Sequence, residues 1–231
     1  HMNPKIPPET FARIMSYGWD GARPHLGLLA EAEGEAVGYH GNVWSTRRIG
    51  GEDRLFGNFS SLYVRRDWRG HDLGVRMMRR YVARPDVTYT VFNPSRRVQG
   101  ILEDCGFRDL DTHRRVWGPE DRRPDPSVAV IADPGEIAAA AGPEGRRILA
   151  DHAGLPAIPL LLRGDGAAVL AIFLRQDRGA AGLCWDMIYA GDPATLTALI
   201  DRAAPAILGD EPRARLLVDE RFLAGDPGGG R

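Results

Sequence analysis

The stretch from Asn58 to Val75, NFSSLYVRRDWRGHDLGV, narrows the folds open to this chain more than any other part of it. The aromatic and aliphatic residues from Phe59 to Val64 predict a strand, and a charged turn follows. Arg69, Gly70, His71, Asp72, Leu73 and Gly74 then form a glycine-punctuated loop that opens an amphipathic helix. A strand that ends in glycines where a helix begins points several unpaired backbone N–H groups, and the positive end of the helix dipole, at one spot. That spot suits a phosphate.

Around this stretch the pattern is strand-rich. Glu9 to Ser16 predicts a short helix with Phe11, Ile14 and Met15 on one side, after the Pro7-Pro8 break. Strands follow at 25–31, 36–47 and 55–64, separated by turns at Glu33-Gly34-Glu35 and Gly50-Gly51, spacings that antiparallel hairpins account for. The helix after the loop runs over about 73–83, with Leu73, Met77, Met78, Tyr81 and Val82 apolar and Arg76, Arg79 and Arg80 on a solvated face. Pro85 stops it. Next come a strand at 87–92, a helix at 96–104 capped by Asn93 or Ser95 and ended by Gly106, and a strand at about 111–117 that is expected to close the unit.

The order β-β-β-α-β-α-β, with Leu62, Tyr63 and Val64 at the strand end and Arg69 and Gly74 in the loop, resembles the acetyl-CoA-binding core of the GNAT (GCN5-related N-acetyltransferase) superfamily. That family's loop reads Arg/Gln-x-x-Gly-x-Gly/Ala; here Asp72 stands at the middle glycine. A second point of resemblance is NPSRRVQGILEDCGF, where Asn93, Gly106 and Phe107 match the family in type and spacing. Leu102 stands where many members carry the tyrosine that protonates the departing CoA thiolate. The resemblance covers roughly the first half of the chain. It implies a mixed α/β (α+β) fold, a mainly antiparallel sheet flanked by helices, and acyl transfer from acetyl-CoA or another acyl-CoA.

Beyond this half, residues 119–134 are rich in proline, aspartate and arginine and read as a linker. A helix around 144–152, strands at 158–163, 167–174 and 183–189, a helix at 193–208 and a strand at 215–219 follow. This second β-β-β-α-β run predicts a tandem pseudo-repeat. The expected domains are therefore a GNAT-like unit at 3–118, a linker at 119–134, a degenerate GNAT-like half at 135–224 and a flexible tail at 225–231. Only Ala190-Gly191-Asp192-Pro193 separates the third strand of the second run from its helix, so this half is expected to bind no CoA and to complete the acceptor cleft.

Composition sets the compartment and excludes several classes. The 231 residues are 43% hydrophobic and 26% charged, without an apolar run of the ~20 residues a membrane helix needs. His1 and Met2 look like a cloning remnant, and no signal peptide is read after them. Cys105 and Cys184 fit a reducing cytoplasm, and no Cys/His spacing suggests a metal site. The chain has 18 basic and 14 acidic residues through Gly118, and 12 and 17 after it, so the glycine-loop half is the positive one, as an anionic cofactor favours. Lys5 is the only lysine; the arginine bias is read as codon usage, with no nucleic-acid signal attached.

Within the family frame, the cofactor contacts fall on Leu62, Val64, Arg69, Gly70, His71, Asp72, Leu73, Gly74 and Val75, with the thioester carbonyl met by a backbone amide near Leu62 to Val64. The catalytic candidates are Ser60, Tyr63 and Asn93, with Asn58 and Ser61 on the same strand as further water-holders; none is a carboxylate. Against the phosphate reading stands an ordinary turn with Asp72 as a helix cap. A carboxylate ~5 Å from a phosphate would cost about 3 kcal/mol at an effective dielectric near 20. The expected function is acyl transfer to an amine or hydroxyl of a small-molecule acceptor in the cytoplasm, with no nucleic-acid or membrane partner and with a homodimer allowed. The alternative is a non-catalytic GNAT-like binding protein that has lost the cofactor site, which Asp72 and Leu102 favour.

Overall fold

The computed structural model describes residues 21–92, 94–118 and 125–225, together with Glu9, Ala12, Ser16, Tyr17, Trp19 and Glu120. The predicted helix at 9–16 and the tail beyond Gly225 lie largely or wholly outside the described residues. Contacts divide the chain into two compact units, residues 1–108 and 109–231.

The first unit is a four-stranded sheet in the order β1-β2-β3-β4, with β1 Gly27–Ala32, β2 Glu35–Ile49, β3 Glu52–Val64 and β4 Val87–Thr90. Strands β1 to β3 are antiparallel. Their connections are two-residue turns in the left-handed region, Glu33 (φ 53°) with Gly34 (φ 77°) and Gly50 (φ 61°) with Gly51 (φ 85°), the geometry whose twist matches a hairpin. Helix α1, Leu73–Tyr81, carries the chain across to β4, which pairs parallel with β3. Met77, Met78 and Tyr81 form its buried face. Beneath it Trp44, Tyr81 and Val87 are packed by Leu28, Leu55, Phe59 and Tyr89. Helix α2, Arg96–Asp104, ends as its sequence predicts: Gly106 takes φ 85°, and the N–H groups of Gly106 and Phe107 donate back to Glu103 and Leu102.

The second unit holds a six-stranded sheet in the order β5-β10-β9-β8-β7-β6. Its strands are β5 Arg114–Trp117, β6 Val128–Ile131, β7 Ala157–Gly164, β8 Ala167–Asp177, β9 Leu183–Ala190 and β10 Arg215–Asp219. Three helices accompany it: α3 Pro134–Ala140, α4 Pro143–Asp151 and α5 Pro193–Leu208. Leu196, Leu199, Ile200, Ala203 and Ile207 of α5 bury against Leu160, Leu162, Phe173 and Leu216 of the sheet. At ~2 kcal/mol for each fully buried large apolar side chain, this core is the main stabilising element of the unit. The pairing scheme of the first unit recurs: β7-β8-β9 antiparallel, then α5, then β10 parallel to β9.

Two expectations are corrected. The strand near residues 111–117 does not close the first unit. It is β5, hydrogen-bonded to β10 from Trp117–Leu216 to Arg114–Asp219, so the division falls after Arg108. A four-residue strand carries no sequence signal for which sheet edge it will join. The linker at 119–134 is in part structured, since Val128–Ile131 pairs with β7 and Asp133 caps α3 by accepting from the Glu136 N–H. This four-residue apolar run is masked by its polar, proline-rich flanks.

Candidate functional site

Strand β3 outruns its neighbour. Its ladder with β4 covers only Leu55–Val87 to Asn58–Thr90, and Thr90 Oγ1 donates to Asn58 Oδ1 at 3.2 Å across the last pair. From Phe59 to Val64 no described strand pairs with β3 on that side, so the two strands form a fork. On its other side β3 stays paired with β2, with one irregularity: Gly41 faces Ser61 and Asn42 faces Phe59, so Ser60 is an extra, bulged residue.

The direction of the free backbone groups follows from the alternation of an antiparallel ladder. Arg65 N–H donates to Val37 O at 2.9 Å, which makes 65/37 a hydrogen-bonded pair. The next pair, Val64–Gly38, is then a non-bonded one, and so is Leu62–His40. The N–H and C=O groups of Leu62 and Val64 therefore point away from β2, into the fork. Arg69 confirms the direction, because its Nε donates to Val64 O at 2.9 Å.

The loop beyond brings a second set of donors close by. After the single turn Arg66–Trp68, Gly70 adopts φ 90°, a conformation that asks for glycine. Asp72 stands at the N-cap of α1 with φ 53° and ψ 14° and makes no side-chain cap bond. A capping carboxylate needs an extended N-cap backbone to reach back to the helix amides, and the left-handed turn denies it that. The first ladder bond of α1 is Arg76 N–H to Asp72 O at 2.9 Å. Among the described residues, the N–H groups of Gly70 to Val75 make no hydrogen bond. A Cβ on Gly74 would stand 3.7 Å from Val64 Cγ2 and 3.8 Å from Leu62 Cδ2, so the helix start rests on the two residues whose backbones face the fork. Gly70, His71 and Asp72 are exposed, while Leu73, Gly74 and Val75 are half-buried.

The structure thus brings Leu62, Val64, Arg69, Gly70, His71, Asp72, Leu73, Gly74 and Val75 to one neighbourhood, the loop and the open edge. Tyr63 alternates to the opposite face of β3. Ser60 lies over β2, its Oγ 2.7 Å from where a Gly41 Cβ would project. Asn93 lies outside the described residues. Leu102 is buried and can donate no proton. Arg65 is occupied by Asp67 and Glu35, and its hydrogen bond holds the Asp67 carboxyl below its usual range. In the second unit Asp186 is clamped between Arg114 and Arg178 at 3.0 and 2.6 Å, Asp151 pairs with Arg147, and His152 Nδ1 meets Ile148 O. These contacts are structural bonds within the second unit.

Behind the fork lies a group that the alternation along β2 places on one face. His40 and Asn42 are 1% and 2% exposed on the α1 face of β2, and among the described residues His40 Nδ1, both amide atoms of Asn42 and Tyr89 Oη have no hydrogen-bond partner. Their frame is aromatic: Phe59 and Tyr81 stand 4.4 and 4.6 Å from the His40 ring. Gly57 makes room for the amide, since a Cβ there would stand 2.7 Å from Asn42 Nδ2. Burial pushes His40 down to about 4, so the ring is neutral at neutral pH, and it raises Tyr81 and Tyr89. Alternation at 40, 42 and 44 is the signal that places these residues on one face; nothing in it shows that the amide is left without partners.

Among the described residues no helix is long and apolar enough to cross a membrane. No protein-family model and no curated protein sequence matches the chain. Solved structures do. A GCN5-related N-acetyltransferase from Kribbella flavida superposes with a TM-score of 0.50 at 16% identity over 84% of this chain and 52% of its own. One from Anabaena variabilis superposes with a TM-score of 0.50 at 9% identity over 86% and 58%. The chain thus spans little more than half the length of these structures, and at such identities the likeness concerns architecture. With the forked parallel pair and the crossover helix in place, the chain has the fold of the GCN5-related N-acetyltransferases.

Proposed function

We propose that the N-terminal unit binds an acyl-CoA and transfers its acyl group to an amine or hydroxyl of a small-molecule acceptor. The observation that carries this reading is the meeting of two sets of backbone groups, the unbonded amides of Gly70 to Val75 and the fork-facing groups of Leu62 and Val64, of which Val64 O accepts from Arg69 Nε. A diphosphate fits the first set, because helix-start amides and the helix dipole both favour an anion. An extended, amide-bearing arm fits the second, because it pairs with an open strand edge as a further strand would. Bound there, an acyl-CoA supplies an activated thioester.

The chain's own part is to orient and to polarise. Arg69, tied by Nε to Val64 O, holds its guanidinium at the mouth of the fork. A backbone N–H of Leu62 or Val64 offers a donor to a carbonyl oxygen. Asn58 and Thr90 close the fork, and Ser60, Tyr63 and Asn93 remain the proton-handling candidates of this half. Asp72 opposes the anion, yet its exposed side chain leaves the amides uncovered. The second unit is read as a degenerate copy that holds no cofactor.

The competing reading, a binding protein without turnover, draws on buried Leu102, which leaves that helix position without an acid. Calorimetry of the full chain with acetyl-CoA separates binding from none. Binding weakened about tenfold by Arg69→Ala supports the site, and absence of heat at millimolar acetyl-CoA removes it. Release of the CoA thiol in the presence of a panel of small amines and alcohols then distinguishes enzyme from binder.

A further inference from the structure

The closed end of the fork has a polar wall. Asn42 of β2 faces Phe59 of β3, one residue beyond the last β3–β4 pair, Asn58–Thr90. The Asn42 amide lies over Gly57: a Cβ there would stand 2.7 Å from Asn42 Nδ2 and 3.1 Å from the Tyr89 ring. Gly57 pairs with Trp44 on one side and with Tyr89 on the other, so a β2 side chain reaches across β3 towards the strand that bounds the fork. Any side chain at position 57 would shut that path.

The two amide atoms of Asn42 and the Tyr89 Oη are closed off from solvent and, among the described residues, unpartnered. A core amide in this state destabilises the chain that carries it, whereas leucine in the same place would not. Its cost to the fold points to a use outside the fold. The group is also neutral throughout. His40 is held uncharged by burial, Tyr81 and Tyr89 keep their protons, and Arg84, whose charge reaches Tyr89, is paired with Asp86. A carboxylate brought here would meet donors but, among the described residues, no uncompensated cation.

We propose that Asn42 determines which acyl chain the fork accepts: its amide, with Tyr89 Oη, selects a short chain bearing a hydroxyl on the third carbon over a plain hydrocarbon chain. The inference rests on the acyl-transfer reading, which places the thioester carbonyl at the Leu62 or Val64 N–H. Spacing supports it. Leu62 faces His40 and Phe59 faces Asn42, two residues apart on β2 and hence ~6.7 Å along the sheet. A 3-hydroxyl covers that distance with one hydrogen bond of ~2.8 Å to the amide. The amide donates to the hydroxyl oxygen or accepts its hydrogen, and Tyr89 Oη supplies a second partner. A methyl group in the same place leaves all of them unanswered. Admission requires the Tyr89 ring, which lies against the same Gly57 position, to turn aside.

Calorimetry of the full chain with 3-hydroxybutyryl-CoA and with 3-methylbutyryl-CoA, in which a methyl group replaces the hydroxyl, tests this. The hydroxylated thioester is expected to bind about tenfold more tightly. Asn42→Leu should bring the two affinities together without lowering the urea midpoint. Succinyl-CoA, which ends in a carboxylate, should bind more weakly than the hydroxylated thioester. Equal or reversed affinities of the first two in the parent chain, tighter binding of succinyl-CoA, a preference unchanged in Asn42→Leu, or a loss of stability in that variant would each overturn the inference while leaving the acyl-transfer reading in place. Failure of acetyl-CoA and of all three thioesters to bind at millimolar concentration would remove both.

Discussion

Helices α1 and α5 occupy the same place in the two units, each between the third strand of an antiparallel run and a strand parallel to it, and each is preceded by an aspartate. Asp192 has an extended backbone, φ −134°, and its Oδ2 accepts from Thr195 N–H at 2.7 Å, while Pro193 contributes no N–H at all. That hydrogen bond holds the Asp192 carboxyl below its usual range. Asp72 is left-handed, φ 53°, and its carboxylate caps nothing. The same residue type thus closes one helix start and leaves the other open. The difference lies in one backbone basin, set upstream by Gly70 and by the tight turn after β3.

The largest expected contrast between the units is in their response to acid. His40 is neutral in the folded state because burial depresses it to about 4. An unfolded histidine titrates near 6.5, so as pH falls the unfolded chain takes up the proton first, and stability is full above about pH 6.5 and lost progressively towards pH 4. The loss amounts to about 3 kcal/mol. Hydrogen exchange across that range should show the first unit opening while the second holds, and His40→Leu should flatten the response. Equal loosening of both units would break the contrast.

The caps should differ next. Asp192→Ala is expected to destabilise the second unit by about 1 kcal/mol, through the loss of a working cap. Asp72→Gly should cost the first unit nothing, since glycine accepts the left-handed backbone and no cap bond is lost. Urea unfolding followed by unit-specific amide signals checks both. Asp72→Gly should also tighten acetyl-CoA, by up to the hundredfold that removal of a nearby like charge allows; unchanged affinity would show that the carboxylate lies far from the bound anion.

Smaller effects separate the two loop glycines. Gly70→Ala places a side chain at φ 90° and should cost about 1 kcal/mol, with weaker cofactor binding as the amides shift. Gly74→Ala has room, with neighbours no nearer than 3.7 Å, and should stabilise the helix by a few tenths of a kcal/mol at most. A thermal melt of each variant distinguishes them, and equal losses would contradict the assignment of strain to Gly70.

Much of this architecture was legible in the chain itself. Apolar alternation and glycine turns located β1 to β4, and strong periodicity located α1, α2 and α5 to within about two residues. Gly106 signalled its helix stop directly. What escaped was short or relational. Val128–Ile131 and Arg114–Trp117 are four-residue strands whose partners lie far along the chain, so local pattern could neither detect the first nor place the second. At the site, sequence identified the loop and the strand end, but two facts required coordinates: that Leu62 and Val64, rather than Tyr63, turn their backbone groups outward, which depends on register, and that Asp72 fails to cap, which depends on a dihedral angle. The orphaned Asn42 amide was hidden for a similar reason, because its lack of partners is a property of everything packed around it.

The central claim is that the amides from Gly70 to Val75 form a cradle for an anion that the second unit lacks. Amide chemical shifts of the ¹⁵N-labelled full chain during titration with coenzyme A test this most directly. The account predicts saturable shifts at Gly70 to Val75 together with Leu62 and Val64, and none at Ala194 to Thr197 at the start of α5. Shifts of equal size at both helix starts, or none at the first at millimolar coenzyme A, would contradict it.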